Sequence, residues 1–211
     1  MAKIDDLVTA VTKGKAKLVP GLVKDCLAEG MDPVEILNKG MIDAMGVVGE
    51  KFKNNEIFVP EMLVAARAMK KGVETLKPAM AGDSSATIGK YVIGTVAGDL
   101  HDIGKNLVAM MIESAGFEVI DLGVDVPKEK FVEAVKNDPE VKIVGLSALL
   151  TTTMPAMKDT VEALTEAGCK GQVKIMVGGA PITQEFADEI GADCYTADAA
   201  SAAQAAKALL A

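Results

Sequence analysis

Residues 98–106 read Gly98-Asp99-Leu100-His101-Asp102-Ile103-Gly104-Lys105-Asn106 and contain the only histidine of the chain. This stretch follows an apolar run, residues 90–97, that is typical of a buried parallel strand, and it precedes residues 107–112, whose apolar spacing suits a helix. Open α/β sheets bind ligands outside the carboxyl ends of their strands, where turns of this kind lie. The sequence therefore predicts that this turn belongs to a ligand-binding or catalytic site.

Strands and helices alternate from Lys90 to the end of the chain. The predicted strands cover residues 91–97, 117–122, 142–147, 173–177 and 193–195. The predicted helices begin near Gly104, Lys128, Thr153, Ile182 and Ala199. Successive βα units indicate a five-stranded parallel sheet with helices on both faces, and we expect the flavodoxin-like (Rossmann-like) order 2-1-3-4-5. In that order the loop with His101 faces the loop after strand three, residues 147–153, which ends in three threonines.

The first 80 residues carry only helical signals. They form four amphipathic segments. In chain order, the apolar residues of these segments are Leu7 and Val11; Leu18, Leu22 and Leu27; Leu37, Met41, Met45, Val48 and Phe52; and Leu63, Ala66, Met69, Val73 and Leu76. Gly40, Gly46 and Gly49 lower the helix propensity of the third segment, so we expect a neighbour to approach closely there. The fold class is thus a four-helix bundle followed by an α/β domain. The small, polar residues 81–86 are the predicted linker, which gives domains at residues 1–86 and 87–211.

Composition limits the classes of partner. The formal net charge of -8 argues against nucleic acid or an anionic membrane as a partner. No apolar run is long enough to cross a bilayer, and the first six residues lack the apolar core of a signal peptide, so we expect a soluble, cytoplasmic protein. The three cysteines form no C-x-x-C pair and are predicted to be small buried side chains.

The spacing of Asp99 and His101 suits two kinds of chemistry. In an extended loop, residues two apart point to the same side, so the carboxylate can hold one imidazole nitrogen while the other faces outward. That arrangement serves a metal-ligating histidine or a general base, and the plain alternative is a solvated histidine. With one histidine and no nearby cysteine, any metal would have to arrive mostly ligated, as in a macrocycle.

Motifs in both halves of the chain resemble one family. Residues 99–104, Ser147-Ala148-Leu149 and Gly178-Gly179 are similar to the D-x-H-x-x-G, S-x-L and G-G signature of cobalamin-binding domains. Gly49-Glu50-Lys51-Phe52 and Phe58-Val59-Pro60-Glu61 resemble the cap domain of methyl-carrying corrinoid proteins and of cobalamin-dependent methionine synthase. The resemblance covers essentially the whole chain, which looks like the small corrinoid proteins of methyltransferase systems for methylamines, methanol or methoxylated aromatics.

The resemblance implies a cofactor and its binding residues. The cofactor is cobalamin or a related corrinoid, methylcobalamin in the loaded state, bound base-off and His-on with His101 as the metal ligand. Asp99 would hold His101, and Thr153 would complete a relay in which methionine synthase has a serine. The remaining implied cofactor contacts come from the loop, the tail pocket and the cap, and they are Asp102, Ile103, Gly104, Ser147, Leu149, Thr151, Gly178, Gly179, Phe52, Val59 and Met62. Lys105 and Asn106 either touch the corrin or are solvated.

The resemblance also implies a function. The chain would carry a methyl group on cobalt from a substrate-specific methyltransferase to a second methyltransferase with a folate or thiol acceptor. It is therefore a carrier subunit rather than a stand-alone catalyst, and a reductive activase would be a further partner. The helical cap would swing aside on the linker to admit both enzymes. The alternatives are a cobalamin-dependent sensor or regulator, an adenosylcobalamin mutase, and a cofactor-free flavodoxin-like interaction domain.

Overall fold

The computed structural model describes residues 2–80 and 87–211, which form two compact units. The first unit comprises the chain up to Thr87 together with Ser114–Gly116, and the second comprises Ile88–Glu113 and Phe117–Ala211. The predicted linker, residues 81–86, lies outside the described residues. No helix in the described part of the chain has both the length and the apolarity that crossing a bilayer requires.

Among residues 2–80 the first unit contains helices and turns but no strand, as predicted. Its helices are α1 (Ala2–Thr12), α2 (Val19–Ala28), a continuous third segment, and α5 (Val59–Leu76), which leads into a 3₁₀ turn (Lys77–Met80). The third segment consists of a short α3 (Pro33–Glu35), a π-helical stretch (Ile36–Ile42) and α4 (Asp43–Lys53). Asp32 caps it, because its carboxylate accepts hydrogen bonds from the amides of Val34 and Glu35 at 2.7 and 3.2 Å.

The third segment buries the apolar stripe that its sequence predicts. Four of the stripe residues are buried, namely Leu37, Met41, Met45 and Val48, and Phe52 is half-buried. The side chain of Leu7 packs where a Cβ of Gly40 would lie, 2.6 Å from that position, so the expected close approach is confirmed there. At Gly46 the expectation is wrong, since no described atom comes within 4 Å of the corresponding position.

The α2 helix buries a different face from the one its leucines suggest, whereas α5 buries most of its predicted face, including Ala66, Met69 and Leu76. In α2 the buried residues are Val19, Val23 and Cys26, whereas Leu18, just before the helix, is 54% exposed. In α5 Met62 is buried and its neighbour Leu63 is exposed. The small residues of α5 allow this close packing, and the buried ones are Ala65, Ala66, Ala68 and Gly72. The predicted apolar face is therefore wrong for α2 by about one residue, and in α5 it is wrong at Leu63 alone among the positions predicted.

The second unit is a five-stranded parallel sheet in the order β2-β1-β3-β4-β5, which confirms the predicted topology. Its strands are β1 (Lys90–Thr95), β2 (Glu118–Asp121), β3 (Val141–Ser147), β4 (Lys174–Gly178) and β5 (Cys194–Tyr195). Its helices are α6 (Ile103–Ser114), α7 (Lys128–Asn137), α8 (Met154–Glu166), α9 (Gln184–Ile190) and α10 (Ala199–Ala208). Short 3₁₀ turns lie at Thr151–Thr153 and Cys169–Gly171.

The central strands are buried along their length because helices cover them. Strand residues such as Val92, Val144 and Ile175 share one apolar cluster with Phe131 of α7 and Met157 of α8. A continuous apolar strand is what a sheet buried on both faces requires. This packing fixes the carboxyl ends of the strands, from which the predicted site loops emerge.

Candidate functional site

Three neighbouring strands end side by side at the carboxyl edge of the sheet. Thr95 of β1 is in register with Ser147 of β3, and Ser147 is in register with Gly178 of β4. The predicted site residues of the second unit lie at these strand ends, in the loops that follow them or in the first turn of α6. The topological switch point between β1 and β3 therefore brings the histidine loop and the threonine loop together, as the sequence predicts.

Asp99 is the fully buried centre of this site. Its Oδ2 accepts hydrogen bonds from the amide of Leu149 at 2.7 Å, the amide of Leu150 at 3.3 Å and the hydroxyl of Thr153 at 2.9 Å. Its Oδ1 accepts one from the amide of His101 at 3.1 Å. Burial alone would raise the pKa of Asp99, but the hydrogen bonds from Leu149, His101 and Thr153 outweigh it and hold this pKa well below the ordinary value. Asp99 is thus an ionised, acceptor-only group at neutral pH.

The ring of His101 is held at one nitrogen. Its Nδ1 lies 2.6 Å from Oδ1 of Asp99, and since the carboxylate can only accept, Nδ1 carries the proton. The backbone carbonyl of His101 accepts a hydrogen bond from the buried hydroxyl of Thr95 at 2.8 Å. The side chain is 50% exposed, and Nε2 has no hydrogen-bond partner among residues 2–80 and 87–211. The arrangement leaves a lone pair on Nε2 available to a ligand.

The hydroxyl of Thr153 lies within hydrogen-bond distance of two acceptors but has one proton to donate. It lies 2.9 Å from Oδ2 of Asp99 and 2.9 Å from the carbonyl of Leu150. A hydroxyl donates one proton, so Thr153 serves one acceptor at a time. The predicted relay of His101, Asp99 and Thr153 is therefore in contact from end to end.

The two adjacent glycines at the end of β4 differ in how much room a side chain would have. Gly179 has φ +133°, and a Cβ there would overlap the backbone carbonyl of Ala148. At Gly178 a Cβ would lie 3.2 Å from the carbonyl oxygen of Thr196, which is a tight but milder contact. Only glycine fits at Gly179, because the backbone of Ala148 occupies the space that a side chain would need.

Lys105, in the first turn of α6, is buried with its side chain 2% exposed. Its ammonium pairs with Oδ2 of Asp121, at the end of β2, at 2.5 Å, and donates to Oδ1 of Asn106 at 2.7 Å. Asp121 also accepts a hydrogen bond from the amide of Gly123 at 2.9 Å. The solvated alternative for Lys105 is therefore wrong. This ion pair ties the start of α6, immediately after the histidine loop, to the neighbouring strand.

The other predicted contact residues lie at the surface or in the first unit. Asp102, Ile103 and Gly104 are exposed in the histidine loop and first turn of α6, with Ile103 83% exposed. Ser147 is half-buried at the end of β3, while Leu149 and Thr151 are exposed just beyond it. In the helical unit, Phe52 is half-buried, Val59 is partly exposed, and Met62 is completely buried.

The donor set fits a metal that brings most of its own ligands. The described residues contain no group of three or more His, Cys, Asp or Glu side chains that could hold a free metal ion. They do contain an imidazole oriented through Nδ1 by a buried carboxylate, which is the usual outer support of a metal-bound histidine. A single oriented imidazole of this kind is compatible with a metal in a macrocycle.

Comparison with known proteins identifies the family. Residues 89–207 match the family model described as a B12 binding domain, and residues 3–77 match a second model with the same description. The chain is 47% identical to dimethylamine corrinoid protein 1 of Methanosarcina acetivorans over 209 residues, which cover 99% of this chain and 97% of that protein. It is also 47% identical to trimethylamine corrinoid protein 1 of Methanosarcina mazei over 203 residues, covering 95% and 94%.

The chain belongs to the B12-binding corrinoid proteins. A solved structure agrees: a chain of the methanol:cobalamin methyltransferase complex MtaBC from Methanosarcina barkeri matches with a TM-score of 0.87 at 31% identity, covering 99% of this chain and 80% of that one. The family membership predicted from the sequence is thus confirmed, and so is a cobalamin or related corrinoid as the cofactor. The fold class is confirmed by the same match.

Two residues that support the histidine loop of this corrinoid protein were missed at the level of sequence. Thr95 holds the backbone of His101, and Asp125, which follows β2, closes the loop from the other side. The carboxylate of Asp125 accepts from the amide of Gly98 at 2.7 Å, and its own amide donates to the carbonyl of Asp99 at 2.9 Å. Asp125 has φ +51°, a conformation that a sequence pattern does not reveal.

Proposed function

We propose that this corrinoid protein carries a methyl group between a substrate-specific methyltransferase and a second methyltransferase. The observation that carries the proposal is the clamp of Asp99 on Nδ1 of His101 at 2.6 Å, which leaves Nε2 available. When bound, the corrinoid supplies a cobalt centre that accepts a methyl group from one partner and releases it to the other. The protein supplies the axial nitrogen and holds it in place.

We propose that Nε2 of His101 is the lower ligand of cobalt and that the corrinoid is bound base-off and His-on. A carboxylate that accepts a hydrogen bond from the Nδ1–H group fixes the tautomer and the orientation of the ring, with Nε2 as the free ligand atom. Asp99 is suited to this role because five hydrogen-bond donors keep it ionised although it is buried. Thr153 is the third member of the relay. Together these residues present a ligand whose orientation is set before the cofactor arrives.

The nucleotide tail of the corrinoid is assigned to the carboxyl edge of the sheet. Gly179 lies at this edge, where the absence of a side chain lets the loop after β4 pack directly on the backbone of Ala148. Ser147, Leu149, Thr151 and Gly178 lie at the ends of β3 and β4 and are the proposed remaining contacts. Asp102, Ile103 and Gly104 are proposed to contact the corrin, which the exposure of Ile103 supports.

The helical unit is the proposed cap. We assign residues 1–86 to a cap domain that shields the bound methyl group, and residues 87–211 to the cobalamin-binding domain. Phe52, Val59 and Met62 are the proposed cap contacts to the upper face. The division of the chain into a helical and an α/β unit is compatible with these boundaries.

The proposed methyl donor is a methylated amine. Relatives that cover nearly the same length are dimethylamine and trimethylamine corrinoid proteins at 47% identity, whereas the chain from the methanol complex is 31% identical. The proposed partners are therefore a methylamine-specific methyltransferase, an acceptor methyltransferase and a reductive activase.

One spectroscopic experiment tests the axial ligand. The chain contains a single histidine, so growth with ¹⁵N-histidine labels one imidazole. The protein is loaded with cob(II)alamin and examined by electron paramagnetic resonance. We expect the axial nitrogen splitting to change from a triplet to a doublet on labelling. An unchanged triplet would show that the ligand is not His101.

A second experiment tests methyl transfer. Purified methyltransferases from neighbouring genes are mixed with mono-, di- or trimethylamine and the loaded protein, whose cobalt has first been reduced to Co(I) with a chemical reductant such as Ti(III) citrate, and the absorbance change of the corrinoid is followed. We expect wild type to be methylated by one such enzyme, and His101→Ala to retain some corrinoid while losing the His-ligated spectrum. Absence of methylation with every enzyme and amine would count against the carrier function.

A further inference from the structure

The loop between α1 and α2 concentrates positive charge in an acidic protein. Residues 13–17 contain three lysines, Lys13, Lys15 and Lys17, in a chain with a formal net charge of -8. No acidic residue occurs between Asp6 and Asp25. All three lysines are exposed, and none of them belongs to an ion pair or side-chain hydrogen bond among the described residues. Their charge is therefore free to interact with another molecule.

The backbone of this loop is well ordered by hydrogen bonds. The amide of Gly14 donates to the carbonyl of Val11 at 2.9 Å, and that of Lys15 donates to Ala10 at 2.8 Å. Gly14 has φ +64° and packs directly on Val64 of α5, whose side chain occupies the space that a Cβ at this position would need. The three lysines thus project from a fixed turn, which lowers the entropy cost of binding through them.

Apolar side chains border the lysines. Leu18 is 54% exposed and Val64 is 48% exposed, and both lie next to the loop. Arg67, the only arginine of the chain, follows Val64 by one turn of α5 and is also exposed. We define the basic-rimmed patch as Lys13, Lys15, Lys17, Leu18, Val64 and Arg67. An apolar centre with a polar rim is the usual anatomy of a protein interface, in which arginine is enriched.

We propose that the basic-rimmed patch docks on an acidic surface of a methyltransferase partner, an inference that rests on the proposed carrier function. The overall charge of -8 disfavours a polyanion such as DNA, which would be repelled by the rest of the surface. A partner protein whose acidic groups surround an apolar contact would instead interact mainly with the positive charges of the patch itself. Opposite charges at an interface rim mainly accelerate association, which suits a carrier that must visit two enzymes in turn.

The test uses the corrinoid-loaded protein and the methyltransferase that methylates it in the assay above. Lys13→Glu/Lys15→Glu is compared with the control Lys128→Glu/Lys136→Glu, which makes the same change in net charge at the two ends of α7. Association and dissociation rates are measured by biolayer interferometry at about 50 mM and about 500 mM salt. We expect the patch variant to associate about tenfold more slowly at low salt, with the control near wild type and the difference lost at high salt.

Several outcomes would overturn the proposal while leaving the carrier function intact. One is equal association rates for the patch variant and the control when wild type is methylated normally. Another is a wild-type association rate that does not depend on salt. A third is that wild type binds anionic phosphatidylglycerol vesicles or duplex DNA through these lysines as tightly as it binds the enzyme. Leu18→Ser adds a separate readout, since loss of the apolar centre should raise the dissociation rate. Circular dichroism and the corrinoid spectrum verify that each variant is folded.

Discussion

The hydroxyl of Thr153 lies 2.9 Å from Oδ2 of Asp99, although 54 residues separate the two in the chain. The contact crosses from the loop after β3 to the loop after β1, and the amide of Leu149 reinforces it at 2.7 Å. Because both loops follow strands that are fixed by the sheet, the carboxylate is ordered without any cofactor. The proposed axial ligand is therefore organised by the fold rather than by the corrinoid.

Thr153→Val should destabilise the cofactor-free protein by about 2 kcal/mol. Valine fills the same volume but removes a donor to a buried carboxylate, and hydrogen bonds to charged groups contribute about 1.5–3 kcal/mol. Thr153→Ser keeps the hydroxyl and serves as the matched control. Urea unfolding followed by circular dichroism measures both variants. If serine proved as destabilising as valine, the methyl packing of Thr153 rather than its hydroxyl would be the important contribution.

Asp99→Asn should be more damaging than its similar shape suggests. The two carboxylate oxygens accept from donors on both sides, so the amide NH₂ of asparagine must face either the amide of Leu149 or the backbone amide and ring of His101. An NH₂ group that faces another donor leaves a buried hydrogen-bonding group unsatisfied, at a cost of about 1–3 kcal/mol. In addition, the negative charge that supports the histidine is lost. We expect corrinoid affinity to fall by about 10–100-fold, measured by absorbance titration.

Asp99→Glu is the comparison that separates charge from position. It retains the negative charge but moves it by one methylene. Wild-type affinity in Asp99→Asn would refute a role for the carboxylate in supporting His101. Wild-type affinity in Asp99→Glu together with loss in Asp99→Asn would assign the effect to charge alone.

Much of the fold was predictable because its signals are local. Apolar runs and turns placed each strand to within about three residues, and the order of a parallel βα sheet follows from a few chirality and connection rules. The pairing of Asp99 with His101 was predictable because the residues are two apart. By contrast, Thr95 and Asp125 act on the loop through contacts that depend on register and on a positive φ, which the sequence does not encode locally.

The buried faces of two helices were less predictable for a related reason. Leucine is the residue one expects inside, and Leu76 of α5 is indeed buried, but α5 also buries alanines and Gly72, where Met41 and Val19 pack into the space that a side chain would fill. Leu18 and Leu63 remain exposed. Close helix packing selects small residues at the contact, so the largest apolar side chains can lie outside it.

The ion pair of Lys105 with Asp121 should respond unequally to loss of either partner. Lys105 is buried whereas Asp121 is partly exposed, so Lys105→Met leaves a carboxylate that water can solvate. Asp121→Asn instead leaves a buried ammonium with only Asn106 as a strong acceptor. We expect Asp121→Asn to cost about 3 kcal/mol and Lys105→Met about 1 kcal/mol in urea unfolding. Equal costs would show that the ammonium is not isolated from solvent. Glu118→Gln, on the exposed edge of β2, is the control for a change in surface charge.

Tyr91 should make the protein sensitive to alkaline pH. Burial raises the pKa of this phenol above its ordinary value of about 10, with a smaller contribution from Cys194. The unfolded chain releases the phenolic proton near pH 10 and the native protein does not, so stability is fully present below pH 10 and falls above it by about 1.4 kcal/mol per pH unit. Tyr91→Phe should remove this slope. At neutral pH it should cost less than about 1 kcal/mol, because the one acceptor of this hydroxyl among the described residues is the weakly accepting sulfur of Met176, at 3.8 Å.

Urea unfolding between pH 9 and about pH 11 measures the difference in the free energy of unfolding between wild type and Tyr91→Phe. The titration of the lysines is common to both proteins and cancels in this difference. In Tyr195→Phe, Tyr91 is the only tyrosine left, and its phenolate absorbance should appear together with the loss of circular dichroism. Phenolate absorbance from this variant while the fold is intact would contradict the burial argument.

Gly179→Ala should be far more harmful than Gly178→Ala, although the two glycines are adjacent. A Cβ at Gly179 would overlap the carbonyl of Ala148, and the φ of +133° is one that residues with a side chain rarely adopt. At Gly178 the nearest atom, the carbonyl oxygen of Thr196, would be 3.2 Å away and can yield slightly. We expect Gly179→Ala to lose more than about 3 kcal/mol of stability or to fail to accumulate as folded protein, and Gly178→Ala to lose about 1 kcal/mol. Because the proposed tail pocket includes both positions, corrinoid titration of Gly178→Ala adds an independent measurement. A folded Gly179→Ala variant with wild-type stability would show that the backbone of Ala148 moves away at little cost.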